Sequence, residues 1–158
     1  NNQPSSDPEV ILKNLRIVRA ALISGPFFFM CIVLLFLAKH PLKYEAGVLF
    51  FVAIFMSVPT VLLALLSGQL LVKKPADWDQ LSDDQRRERL PAIAFTAKVL
   101  QGALLEGPTF FWILLVLIDG NAYGLIFGSV LIALAISLFP TNSRFNGLID
   151  ELNERFRI

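Results

Sequence analysis

A chain of 158 residues, 55% hydrophobic and only 17% charged, with 14 Phe against one Cys and one His, lacks the ionisable surface of an ordinary soluble domain, where about a quarter of residues are charged. The net charge of +1 hides segregation, because 14 basic and 13 acidic residues stand in blocks between runs that hold almost none. These proportions exclude a disulfide scaffold, a His- or Cys-based metal site, a disordered chain and a nucleic-acid binder. They predict an all-α membrane protein with no cofactor.

The N-terminal segment, residues 1–19, should be cytoplasmic and lead into the first helix. Ser6-Asp7-Pro8-Glu9 places a cap residue, a first-turn Pro and a Glu three after Ser6, a helix-start signature. The helix should continue unbroken into a first apolar run, 20–38. That run reads as a span and not as a cleaved signal peptide, since polar helical sequence precedes it and no small-residue cleavage site follows. A second run, 46–72, completes a first transmembrane hairpin over 20–72. Ser57, Pro59 and Thr60 interrupt it; a kink is expected, with the hydroxyls serving the Phe55 carbonyl that Pro59 frees. Gln69 could hydrogen-bond across the bundle. Cys31 reads as a small apolar residue, and lone His40, before Pro41, is not expected to bind metal.

Residues 73–98 form the central connection. Lys73-Lys74-Pro75 should stop the second helix, Trp78 should anchor at the headgroups, and Ser82-Asp83-Asp84-Gln85 reads as a capping box for a short helix leading to Pro91. Runs 99–118 and 122–139 then make a second hairpin over 99–139. Each of the four runs is about 18 residues or longer, enough for a helix to cross roughly 30 Å of hydrocarbon. Strands are excluded, because the runs lack period-two alternation. Tyr44 and Tyr123 suit an outer aromatic belt, whereas Trp112 should pack. In the tail, 140–158, Phe145, Leu148, Ile149, Leu152 and Phe156 recur at helical spacing opposite Asp150, Glu151 and Arg157. An amphipathic helix is expected, lying on the inner leaflet, against a partner, or under its own bundle.

Basic residues set the orientation. The first and third connections hold only Lys39 and Lys43, while the remaining cations gather at the N-terminus, the central connection and the C-terminus. The positive-inside rule puts both termini in the cytoplasm, as in a bacterial inner membrane.

A shift of 82 residues aligns 16–36 with 98–118 without gaps and with about a third of positions identical, Gly25/Gly107, Pro26/Pro108, Phe28/Phe110 and Phe29/Phe111 among them. Two tandem hairpins related by a parallel repeat are expected, forming a four-transmembrane-helix bundle. Gly120, Gly124 and Gly128 form a small-residue ladder for close helix approach, joined by Gly25, Gly102 and Gly107 as helix-packing positions.

Lys98, Gly102, Glu106 and Thr109 share one helical face, opposite in the repeat to Arg16, Ala20, Ser24 and Phe27. A carboxyl group within a span is costly unless paired, hydrated or protonated. Glu106 is therefore either a proton or cation site, with Lys98, Ser24 and Thr109 around it, or a structural group repairing the Pro108 kink at the Leu104 carbonyl. Arg16, Arg19 and Lys98 sit at headgroup level and are candidates to bind lipid. No phosphate loop, nucleophile elbow or zinc motif occurs, so an enzyme is not expected.

Ala103-Leu104-Leu105-Glu106-Gly107-Pro108, with Asp119-Gly120-Asn121 ending its helix, resembles small uncharacterised bacterial membrane proteins of four helices, a likeness covering mainly the second hairpin. Two hairpins with one membrane carboxylate also look like the duplicated proteolipid c subunits of rotary ATPases. That resemblance would imply a ring and a proton- or sodium-carrying Glu106. The chain departs from it in placing the carboxylate on the first helix of its hairpin and in lacking the glycine-rich inner helix. The leading expectation is a non-catalytic subunit of a homo-oligomer or larger membrane complex. The alternatives are cation handling at Glu106 and lipid binding.

Overall fold

The computed structural model describes residues 8–37, 42–70 and 72–157, and for 67–70 the backbone alone. The expectations for Ser6, Asp7, Lys39, His40 and the Gln69 side chain lie outside the described residues. The fold is all-helical: α1 Pro8–Leu37, α2 Val48–Leu70, a single 3-10 turn at Trp78–Gln80, α3 Asp83–Asp119, α4 Ala122–Ser137 and α5 Asn142–Arg157. Among the described residues three helices (α1, α2 and α3) are long and apolar enough to cross a membrane, or up to four spans if α4 and α5, bent by 76°, count as one. With 16 residues, α4 is shorter than its apolar run and reaches about 24 Å.

α1 runs unbroken, as its sequence predicts. α3 differs from expectation. Its start is the anticipated capping box, with the Gln85 amide donating to Ser82 Oγ at 3.4 Å and the Ser82 amide donating to Gln85 Oε1 at 3.0 Å. The helix does not stop at Pro91, however, and continues for 37 residues to Asp119. An internal Pro costs about 3 kcal/mol. Leu90, Ala94 and Ala97 around it are all buried in one apolar cluster, which holds the helix together across the break.

α3 is the centre of the molecule, and α1, α2, α4 and α5 all pack on it. Three clusters lie along it. At the end carrying α5, Leu12 and Leu15 of α1 meet Leu90, Ala94 and Ala97 of α3, and Phe145, Leu148, Leu152 and Phe156 of α5. The tail therefore lies under its own bundle, its apolar face buried. Trp78, 2% exposed, belongs to this cluster and packs edge-on against Phe156 at 5.0 Å, rather than anchoring at a headgroup surface. A large indole gains more from a closed apolar pocket than from an interface. Farther along, Ala53, Trp112, Leu115 and Leu131 join α2, α3 and α4, with Trp112 stacked on Phe127 at 4.6 Å. Met30 and Val33 meet Ile113 and Val116 in the third cluster. Residues of α1 and α3 thus meet in the same order along both helices, and the pair ascends in step.

The far end is clasped by polar contacts. The Lys43 amide donates to the Gly120 carbonyl at 2.8 Å and the Ala122 amide to the Lys43 carbonyl at 2.9 Å. Asn121, 3% exposed, caps the Tyr123 amide at 2.9 Å and donates to the Glu45 carbonyl at 2.7 Å. Tyr44 and Tyr123 stand edge to face at the same end, 6.1 Å apart.

The candidate anion-binding corner between α4 and α5

α4 ends at Ser137, shortly before Pro140, which has no amide hydrogen, and carbonyls at and just beyond the helix end lack helical donors. Cationic side chains supply them. Arg144 donates to the Ser137 carbonyl, Arg19 Nη2 to the Leu138 carbonyl at 3.4 Å, and Arg16 Nε to the Pro140 carbonyl at 3.3 Å. Arg16 Nη2 also donates to Asn142 Oδ1 at 2.6 Å. Lys98 donates to Gln101 Oε1 at 3.2 Å, and Gln101 Nε2 continues to the Ala64 carbonyl of α2 at 3.1 Å. Arg19 and Arg144 are near enough to repel Lys98, while Glu151 attracts it. The expected headgroup cations Arg16, Arg19 and Lys98 therefore do converge, and Arg144 joins them.

Charge compensation is incomplete. A helix C-terminus offers about half a negative charge, against four formal positive charges. Arg19 is the sharpest case: it is 1% exposed, and its Nε has no hydrogen-bond partner. Three cations of another segment do meet acids. In the central connection, Lys74 pairs with Asp79 at 2.7 Å, Arg89 with Asp77 at 2.6 Å and Arg86 with Asp83 at 3.4 Å. The Arg89 hydrogen bond holds the Asp77 carboxyl below the usual carboxylate range. Among the described residues, no carboxylate forms an ion pair with any of the four corner cations.

The Glu106 constellation is not assembled in the same way. Glu106 is half-buried, with Oε1 3.5 Å from where a Cβ on Gly25 would stand. Lys98 turns to Gln101. Ser24 donates to the Ala21 carbonyl at 2.9 Å, and buried Thr109 to the Leu105 carbonyl at 2.6 Å. Both hydroxyls serve their own helices, and no described residue donates a hydrogen bond to Glu106. In α2, Thr60 donates to the Met56 carbonyl at 2.5 Å rather than to Phe55, and the buried Ser57 hydroxyl has no partner. A Thr hydroxyl reaches the carbonyl four residues before itself, which for Thr60 is Met56.

The glycines divide by role. Gly120, with φ 65°, adopts the left-handed conformation that closes α3 and lies outside the α4 ladder. A Cβ on Gly124 would strike the Trp112 carbonyl oxygen, and one on Gly128 would come within 3.0 Å of Met30 Cε and 3.2 Å of Ile113 Cγ1. The ladder is thus occupied within the chain. Gly102 makes room for Arg19, and Gly25 makes ordinary contact with Phe110. Gly107 meets nothing within 4 Å and makes no close packing contact with the described residues.

Sequence reasoning passed over Arg144 and Gln101. Available signals were a cation one turn beyond the Pro140 break and an amide one turn beyond Lys98. The fold and the corner define a helical protein suited to a bilayer, with a cluster of cations, unpaired among the described residues, where three apolar runs begin or end. No family model matches the chain, and no curated protein or solved structure matches it either.

Proposed function

We propose that this is a non-catalytic integral membrane protein that binds anionic lipid at the α4–α5 corner. The observation that carries the reading is Arg19, a buried guanidinium without a counter-ion among the described residues. A buried charge left uncompensated is costly, and a lipid phosphate would supply the missing negative charge. Arg16 and Arg19 precede the first apolar run, Lys98 precedes the third, and the corner follows the fourth, which suits headgroup depth. The orientation that accompanies the proposal has both termini in the cytoplasm of a bacterial inner membrane, with the halves as tandem hairpins; the stepwise meeting of α1 and α3 supports that duplication.

Native mass spectrometry of the protein extracted in mild detergent tests this reading. A retained phospholipid, lost when Arg16 and Arg144 are both changed to Gln, is the expected result. A wild-type protein without lipid would overturn it.

A second reading, assembly as a subunit of a homo-oligomer or larger complex, draws support from α2. That helix packs on α3 and leaves Phe51, Phe55, Val58 and Leu62 exposed. Cysteine cross-linking through Phe55→Cys in membranes tests it. Proton or cation handling at Glu106 has less support, since among the described residues none hydrogen-bonds to it.

A further inference from the structure

We infer that the α4–α5 corner selects a phosphomonoester, a terminal phosphate with two ionisable oxygens, over the phosphodiester of common anionic lipids; the inference rests on the lipid-binding reading above.

The charge count favours the monoester. A phosphodiester brings one negative charge and two unbridged oxygens. A phosphomonoester brings roughly −1.5 to −2 and three acceptor oxygens at neutral pH. Four cations gather here, with Glu151 attracting Lys98, and their hydrogen-bond acceptors are carbonyl and amide oxygens that carry no formal charge.

Unused donors point the same way. Arg16 engages Nε and Nη2, leaving Nη1; Arg144 engages Nη1, leaving Nε and Nη2. Lys98 has one acceptor for its ammonium group, which carries three donors. Arg16 and Arg144 are exposed and Lys98 half-buried, so an approaching phosphate can reach all three. Arg19 lies behind them and adds field rather than contact, because its Nε is closed to solvent. Guanidinium forks and an ammonium group together suit a multi-oxygen anion. Headgroups carrying their own ammonium would meet repulsion from this cluster, relieved in part by Glu151.

The test is a competition at pH 8. Purified full-length protein receives equimolar phosphatidic acid and phosphatidylglycerol of matched chains, and retained lipid is read by native mass spectrometry. Phosphatidic acid should be retained with about tenfold preference, the effect of roughly one additional charge-assisted hydrogen bond. Arg144→Gln, at an exposed position, should reduce that preference severalfold. A parallel arm adds millimolar inorganic phosphate. Displacement of phosphatidic acid identifies the free anion as a sufficient ligand; retention identifies the lipid as the source, and both support the inference when the preference is present. Equal retention of the two lipids would overturn the selectivity and leave lipid binding standing. Retention of neither would overturn both.

Discussion

The guanidinium of Arg19 lies across Gly102, in the space a side chain at position 102 would fill, with Leu22 Cδ1 only 2.9 Å from that point. This close approach lets a cation from α1 reach the end of α4 past the central helix. Gly102→Ala should displace Arg19 and destabilise the protein by about 1–3 kcal/mol through overpacking. Adding Arg19→Ala should recover part of that loss. A double-mutant cycle from unfolding in detergent should give a coupling of about 1 kcal/mol, and simple additivity would contradict the contact.

Two other glycines should respond in opposite ways. Gly124→Ala places its methyl against the Trp112 carbonyl and Val116 Cγ2. Backbone cannot swing aside, so a loss of about 2 kcal/mol or more is expected. Gly107→Ala meets open space and gains helix propensity, worth up to about 1 kcal/mol. Thermal unfolding of both variants checks the contrast.

These glycines also show how far the sequence could be read. Small residues every fourth position promised a close helix contact, and Gly124 and Gly128 make one. Spacing carries no information about the other side of the contact, which is α3 of the same chain. Gly120 has the ladder's spacing but closes a helix, because Asp119-Gly120-Asn121 is also a C-terminal signal. Glu106 drew notice as a charge in an apolar run, while the charged side chains that gather are Arg16, Arg19, Lys98 and Arg144. Their convergence depends on the α4–α5 bend, a tertiary feature that periodicity does not encode. Pro91 misled for a related reason: its local cost is evident in sequence, whereas the packing of Leu90, Ala94 and Ala97 is not.

Asn121 ties the two connections at the end opposite α5. Asn121→Ala removes both its cap to Tyr123 and its bond to the Glu45 carbonyl, with an expected loss of about 1–3 kcal/mol. Asn121→Ser keeps a capping oxygen and should recover about half. Hydrogen exchange at Tyr123 and Gly124 should rise most in the Ala variant.

Acid should loosen the central connection. Because the folded Asp77 pKa lies below its unfolded value, its contribution is complete above the ordinary carboxylate pKa of about 4 and disappears as pH falls through the lower folded value. The stability difference between wild type and Asp77→Asn should therefore be present at pH 7 and vanish in strong acid. A difference independent of pH would remove the Arg89–Asp77 bond as its cause.

The most direct measurement is the distance between arginine side-chain nitrogen and lipid phosphorus in reconstituted bilayers containing anionic phospholipid. Solid-state NMR dephasing of guanidinium 15N by 31P should be strong in the wild type and fall sharply in the Arg16→Gln, Arg144→Gln double variant. Equal dephasing in the two proteins, or none in either, would contradict the assignment of the corner to a phosphate.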